Sequence, residues 1–197
     1  MSAAFLAGVA AGYGIAVPVG AIGVLIVGLS ARTSLRVGSA AALGAATADG
    51  LYALVAALGG AALAGVIAPI ATPLRWAAAG VLLLLAAHTA YRAVRGAGLT
   101  ERPPRPVTAR AAYSGILGLT LLNPATVIYF AALILGRGGT GGGAWFVAGA
   151  FLASASWQLL LAGGGSLVGR LLTGERGRLI TALVSSAVIA ALAVTLL

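Results

Sequence analysis

Residues 15–23 read IAVPVGAIG, and they lie in the middle of the first long apolar segment of the chain. Pro18 has no backbone N–H and its ring collides with the preceding helical turn, so a helix running through this stretch must kink or break. In lipid, a carbonyl that loses its partner must be satisfied by protein, water or a ligand. The stretch therefore predicts a broken helix with available backbone polar groups near the middle of the segment.

A second interruption of the same kind occurs at residues 121–126, which read LLNPAT. Two interrupted apolar segments in corresponding halves of a membrane protein point to the binding site of a transporter. Pro18 and Pro124 are expected to free the carbonyls of Gly14 and Thr120, each four residues earlier. Such carbonyls can hold an amine or a cation, and the helix N-termini that follow favour a carboxylate. The pair of breaks therefore suits a small zwitterionic solute.

The composition excludes several classes of protein. Of the 197 residues, 61% are hydrophobic and 8% are charged, against roughly 25% charged residues in soluble domains. The net charge of +9 comes from arginines that lie between apolar spans, so it does not form a nucleic-acid-binding face. Cysteine is absent and there is one histidine, which excludes thiol redox chemistry and a zinc or copper path. The composition predicts an integral membrane protein without a metal or cofactor.

The pattern of apolar segments and arginines predicts the topology. A spanning helix needs about 20 apolar residues, and six segments qualify: 3–29, 38–66, 74–94, 111–135, 144–168 and 178–197. Ten of the twelve arginines lie in the odd-numbered loops between these segments, so those loops are expected in the cytoplasm and both termini outside. Because no basic residue precedes the first apolar run, we expect a retained span rather than a signal peptide. The expected location is a bacterial-type inner membrane.

The chain also shows weak internal similarity. Residues 96–109, which contain three prolines, are predicted to link a first repeat (1–95) to a second (110–197) within a single membrane domain. Each repeat holds three spans, and because three is odd the repeats have opposite orientations. With Pro18 placed over Pro124 and one residue of offset, the following pairs align: Gly44 with Gly149, Asp49 with Ser154, and Tyr52 with Trp157. The predicted fold is all-α, with two inverted three-helix repeats whose first helices are broken at proline.

Asp49 is the single acidic residue inside a predicted span, since Glu101 and Glu175 fall in loops. A charged aspartate at a helix centre costs about 2.5–3.5 kcal/mol on insertion scales. One interpretation is a proton or cation site, which we favour because an intramembrane carboxylate is usually functional. The other is that Asp49 ties helices together through a hydrogen bond to Thr47 or Ser154.

Three further groups carry polar chemistry. Ser154, Ser156 and Gln158 make the fifth span polar, and they either line the same pocket or bond neighbouring helices. His88 lies near the end of the third span, where we interpret it as an interfacial histidine rather than a proton relay. Glycine-rich faces of the first and fourth spans are expected to let backbones pack closely.

These motifs resemble those of the LysE/RhtB family of amino-acid exporters. Its members carry a Pro-x-Gly-Pro or Pro-Gly-Pro motif in the first span, which appears here as PVGA at residues 18–21 with Ala21 at the second proline. They carry a Gly…Asp pattern in the second span, seen here from Gly44 to Asp49, and a Leu-Asn-Pro in the fourth, seen here at residues 122–124. The resemblance implies export of amino acids or related solutes driven by an ion gradient. Because Ala21 and the apolar residues that follow reduce the polarity of the site, a basic amino acid is disfavoured.

The sequence therefore predicts a secondary-active exporter, not an enzyme, coupled to a proton or sodium gradient. Its expected partners are a small-molecule substrate, the coupling ion and the lipid bilayer, and the sequence leaves homo-oligomerisation open. Two alternatives remain: an inorganic or metal-ion exporter of a related six-helix family, and a non-transporting membrane assembly subunit. The predicted substrate and ion site comprises Asp49, Asn123, Pro18, Pro124, Gly20, Gly14, Thr120 and Ser154.

Overall fold

The computed structural model describes residues 2–18, 20–67, 107–123 and 143–171, together with single positions between 73 and 91, 126 and 130, and 183 and 194. Five helices lie in these ranges: α1 (Ser2–Ala16), α2 (Ala21–Arg32), α3 (Leu35–Ile67), α4 (Ala109–Leu121) and α5 (Gly143–Leu171). The described part contains no strand, which confirms the prediction of an all-α protein.

The first apolar segment is broken where the proline predicts. α1 ends at Ala16 and α2 begins at Ala21, and the axes of the two helices differ by 76°. The N–H of Val17 still bonds the carbonyl of Tyr13 at 2.9 Å, but Pro18 has no N–H with which to continue the ladder. Gly20 has an extended backbone at the start of α2. The predicted span 3–29 is therefore two helices joined by a sharp bend.

α3 and α5 are the long uninterrupted helices of the described part. α3 has 33 residues and α5 has 29, and each contains an apolar stretch long enough to cross a membrane, Leu35–Leu58 and Gly143–Gly169. They confirm the predicted spans 38–66 and 144–168 as helices. The bent pair α1 and α2 is apolar enough to form a third crossing.

The fourth predicted segment, 111–135, is helical from Ala109 and interrupted after Leu121, with helix again at Thr126, Tyr129 and Phe130. The predicted spans 74–94 and 178–197 and most of the linker 96–109 lie outside the continuously described ranges. The continuously described ranges thus give five helices, two of them from one broken span, and the six-span inverted arrangement remains a prediction.

α5 lies against α1, α2 and α3, while α3 also packs against α4. Gly8 and Gly12 on α1 touch the backbone of Phe146 and Ala150. On α5, Gly165 and Gly169 likewise touch that of Val27 and Ala31, so α5 runs in the same chain direction as both α1 and α2. α3 runs in the opposite direction, because its early residues share one core with the end of α5 and its later residues share another with the start of α5. α3 and α4 run parallel.

Two apolar cores are stacked along the helices. The α2-side core contains Ile22, Ile26, Ala41, Ala42, Ala45, Ala112, Ile116 and Ala162. The α1-side core contains Ala11, Ala53, Ala56, Phe130, Phe146 and Ala150. Along α3, Asp49 falls between the two cores, and along α5 Ser154 and Gln158 do so. We call these three residues the polar layer.

The helix directions bring arginines to one end of the molecule. α2 ends at Arg32, α3 begins one residue before Arg36, and α4 carries Arg110 at its second position. Since α2 and α5 end where α3 and α4 begin, these side chains share a face. This arrangement is the one that the positive-inside rule expects for a cytoplasmic face.

Candidate functional site

Asp49 is the centre of the polar layer. It is 3% exposed, and its Oδ2 accepts a hydrogen bond of 2.6 Å from the hydroxyl of Ser154, which is fully buried. Ser154 is the one side-chain donor to this carboxylate among the described residues. Thr47, the other partner considered from the sequence, donates instead to the carbonyl of Leu43 at 2.7 Å and accepts from Tyr113. A buried carboxylate with a single neutral donor has unused acceptor capacity.

Gln158 lies one helical turn beyond Ser154 on α5, and therefore on the same face. It is 7% exposed, and its Oε1 has no hydrogen-bond partner within the described part of the chain. The indole Nε1 of the preceding residue, Trp157, is likewise buried and without a partner there. Buried polar groups without partners are rare in folded proteins, and each calls for an explanation.

The first break lies beside this turn of α5. The hydroxyls of Tyr13 and Ser156 share a hydrogen bond of 2.8 Å, which fixes the two parallel helices in register. Gln158 follows Ser156 by two residues and therefore lies on a different side of α5, while α1 ends at Ala16, just before Pro18. Pro18 cannot donate to the carbonyl of Gly14.

Residues at the first break are open to the surroundings. Gly14, Pro18 and Gly20 are exposed. Gly14 also lies directly against the hydroxyl of Tyr129, which donates to the carbonyl of Ala11 at 3.0 Å. Tyr129, which follows the second break in the chain, therefore holds the end of α1 just before the first break.

The second break is closed by local bonds. The N–H of Asn123 donates to the carbonyl of Thr120 at 3.1 Å and that of Leu122 to Gly118 at 3.0 Å. The carbonyl of Thr120, expected from the sequence to be free, therefore has a donor because the last turn of α4 tightens into an i→i−3 bond. The hydroxyl of Thr120 donates to Ile116 at 2.8 Å. Pro124 lies outside the described residues.

Tyr52 connects the second break to the polar layer. Its hydroxyl donates to the carbonyl of Leu121 at 2.6 Å, so it caps the end of α4. Because Tyr52 follows Asp49 by three residues, both lie on one side of α3. Its ring stacks on Phe130 at a centroid distance of 6.0 Å, and Tyr129 meets Phe130 edge-on at 5.5 Å. These aromatic side chains cover the polar layer on the side of the α1-side core.

The structure thus joins some of the predicted site residues and separates others. Asp49 and Ser154 are in contact, while Gly14, Pro18 and Gly20 lie at the first break next to α5. Thr120 and Asn123 lie at the second break, which reaches α3 through Tyr52. The sequence analysis missed the bonds of Tyr52 and Tyr129 to backbone carbonyls, and nothing in the spacing of these tyrosines indicates which carbonyl each one meets.

Apolar helices, one of them broken, packed around a buried carboxylate define a membrane transport protein. The chain belongs to the LysE type translocator family, whose family model matches residues 14–197. No curated protein and no solved structure matches the chain. Membership of this family makes the protein a membrane exporter of small solutes and not an enzyme.

Proposed function

We propose that this protein is a secondary-active exporter of amino acids or related small solutes, driven by a proton or sodium gradient, and that Asp49 carries the coupling ion or the substrate amine. The observation that carries the proposal is the position of Asp49, which is 3% exposed between two apolar cores with a neutral hydroxyl as its donor. Holding a charge there is costly. Binding a cation or a proton offsets that cost.

The proposed architecture is a pair of inverted three-helix repeats. Two equivalent glycine contacts support it: Gly149 on α5 meets the backbone of Phe5 and Val9 on α1, and Gly44 on α3 meets that of Tyr113 and Leu117 on α4. Each glycine touches the carbonyl oxygen of one residue and the nitrogen of the residue four positions later. Gly44 and Gly149 are the glycines that the alignment of the two halves pairs.

A second observation supports the repeat. Leu83 and Ala190, from the third and sixth predicted spans, pack against the same apolar cluster as Ala21, Val24 and Leu25 near the start of α2. Leu83 and Ala190 are separated by almost the same number of positions as Pro18 and Pro124. Residues at corresponding places in the two halves therefore contribute to one apolar cluster beside the helix that follows the first break.

The proposed transport cycle uses the two apolar cores as gates. In the described arrangement both cores are packed, so the polar layer is closed toward each end of the helices. Rocking of one repeat against the other would open one core at a time around a fixed site. The carbonyl of Gly14 and the amide of Asn123 would orient the substrate, and Pro18, Gly20 and Pro124 would keep the helices broken there.

The proposed orientation follows from the arginine-bearing end. Arg32, Arg36 and Arg110 would face the cytoplasm across an inner membrane, with both termini outside. The alternative of a metal-ion exporter is less well supported, because hard cations take six or more oxygen ligands at calcium-type sites and the polar layer offers one carboxylate. Homo-oligomerisation and the assembly-subunit alternative remain matters for experiment.

The test is counterflow in proteoliposomes. Proteoliposomes that contain the purified protein would be loaded with unlabelled amino acids, one from a panel at a time. They would then be assayed for uptake of the labelled amino acid across an imposed pH or sodium gradient. We expect uptake of at least one amino acid, and its loss in Asp49→Asn while Ser39→Ala on the same helix transports normally. Full ion-coupled transport by folded Asp49→Asn would remove Asp49 from the mechanism. Absence of uptake across the whole panel by the natural protein, together with a stably copurifying partner, would favour an assembly subunit.

A further inference from the structure

The side chain of Gln158 is the least explained polar group of the polar layer. Its carbonyl oxygen Oε1 is buried and has no hydrogen-bond donor within the described part of the chain. A buried amide oxygen that bonds nothing destabilises the protein relative to an apolar side chain of similar shape. A structural role in tying helices together is therefore a poor account of this oxygen, because it bonds no neighbouring helix within the described part of the chain.

The surroundings of Gln158 explain why its oxygen has no partner. Antiparallel packing places the turn of α5 that contains Gln158 opposite the turn of α3 that precedes Asp49. The buried residues in the two turns of α3 before Asp49 have no side-chain donor, and they are Ala41, Ala42, Gly44, Ala45, Ala46 and Ala48. A donor to Oε1 must therefore come from another source.

Asp49 provides the second acceptor of the same site. Its carboxylate accepts a hydrogen bond of 2.6 Å from the hydroxyl of Ser154. Gln158 follows Ser154 by one turn of α5, so the Cβ atoms of Ser154 and Gln158 lie about 6 Å apart. The Asp49 carboxylate and the side-chain oxygen of Gln158 are therefore acceptors in neighbouring turns of the polar layer. An ammonium group has three N–H donors and a positive charge, and such a group satisfies both acceptors at once.

The first break brings the site within reach of a solute. Gly165 on α5 touches the backbone of Val27 on α2, and Gln158 and Gly20 each lie about two helical turns before these contact residues. The exposed Gly20 therefore lies at the level of Gln158, on the side of α5 that faces α2. The carbonyl of Gly14, which receives no N–H from Pro18, is a third acceptor on this side. A ligand that enters at the break therefore meets hydrogen-bond acceptors and no cationic side chain among the described residues of the polar layer.

We propose that Gln158 is a substrate-recognition residue, whose side-chain oxygen accepts an N–H from the ammonium group of the transported solute while Asp49 provides the opposite charge. This inference rests on the proposed export function and adds to it the residue that selects an amine-bearing solute. It distinguishes a substrate with a cationic nitrogen from a bare sodium ion as the occupant of this part of the polar layer.

Binding is tested by the fluorescence of Trp157, the neighbour of Gln158. In a background carrying Trp76→Phe and Trp145→Phe, Trp157 is the one remaining tryptophan of the three in the chain. The detergent-purified protein would be titrated with n-propylammonium chloride and, at equal ionic strength, with sodium chloride. We expect a saturable change of emission with n-propylammonium and none with sodium chloride.

Substitutions of Gln158 provide the decisive comparison. Gln158→Leu removes the acceptor and should weaken n-propylammonium binding roughly tenfold or more. Gln158→Glu keeps an oxygen acceptor and adds a negative charge, so it should retain binding. Ser166→Ala, two turns further along α5, should bind like the parent. The melting temperature of Gln158→Leu should equal or exceed that of the parent, which a helix-tying role would not allow.

Each contrary outcome has a distinct meaning. Parent-like binding by Gln158→Leu, or no saturable signal in the parent, overturns the assignment of Gln158. A saturable response to sodium chloride alone, lost in Gln158→Leu, also overturns it and assigns this oxygen to a coupling ion. If the natural protein transports amino acids in counterflow and Gln158→Leu does so with unchanged apparent affinity, the recognition role fails while the export function stands.

Discussion

The hydroxyl of Ser154 on α5 donates a hydrogen bond of 2.6 Å to Oδ2 of Asp49 on α3. This bond joins the two long unbroken helices of the described part at the level between the two apolar cores. It also unites the two interpretations that the sequence left open for Asp49. The carboxylate does tie two helices together, yet one hydroxyl donor leaves most of its acceptor sites unused.

Ser154→Ala should therefore destabilise the protein by about 1–3 kcal/mol, because the buried carboxylate loses its donor. The same substitution should have a much smaller effect in an Asp49→Asn background, since the partner charge is already gone. A double-mutant cycle measured by unfolding in detergent mixtures checks this coupling, which is expected to be about 0.5–3 kcal/mol. Strictly additive effects would show that the bond does not contribute to stability.

Tyr52→Phe should lower stability by about 1–2 kcal/mol, because the carbonyl of Leu121 loses the donor that caps α4. The ring keeps its stacking on Phe130, so the effect reports the hydroxyl alone. Tyr113→Phe is a matched control, since its hydroxyl bonds the partly exposed Thr47, which has a second bond of its own. Equal melting temperatures for Tyr52→Phe and the natural protein would contradict the capping role.

Gly149→Ala should prevent stable folding or cost about 3 kcal/mol, because the new methyl group would collide with the backbone of Phe5 and Val9 on α1. Gly164→Ala on the same helix meets open space and should be neutral or stabilising by up to about 1 kcal/mol. Expression level and thermal unfolding of the two variants provide the comparison. Comparable behaviour of the pair would disprove the close contact of α5 with α1.

Pro18→Ala restores an N–H at the break and should allow the ladder of α1 to extend toward α2. The variant should be at least as stable as the natural protein, because an interior proline costs a helix about 3 kcal/mol. Transport should fall, since the carbonyl of Gly14 becomes occupied. Hydrogen exchange of the backbone amides at 14–20 tests whether the helix extends, and counterflow in proteoliposomes tests whether transport falls. Unchanged exchange and unchanged transport would mean that the break does not depend on the proline.

The parts of the structure that follow from local chemistry could be predicted from the sequence. Pro18 breaks the first helix because it lacks a donor, and the arginines gather at one end because the apolar segments alternate in direction. The contact of Asp49 with Ser154 was within reach, because both are isolated polar residues in apolar helices.

The parts that depend on the register between helices could not be predicted. Tyr52 bonds Leu121 and Tyr129 bonds Ala11, residues far apart in the chain that meet through the packing of α3 on α4 and of the segment after the second break on α1. The carbonyl of Thr120 receives a donor because the end of α4 tightens locally, which an ideal-helix argument does not anticipate. Gln158 stood out as polar, but the lack of a partner for its oxygen, and for the indole N–H of Trp157, within the described part of the chain is visible only once their neighbours are placed.

The tyrosine that caps the second break has a counterpart in the other half of the chain. The alignment of the halves pairs Tyr52 with Trp157, and among the described residues Tyr52 holds the carbonyl of Leu121 while the indole N–H of Trp157 is buried and holds nothing. If the proposed repeat is correct, the two halves differ in state although they are alike in design. Such an asymmetry is what a transporter needs in order to avoid a leak, because one side of the site must close before the other opens.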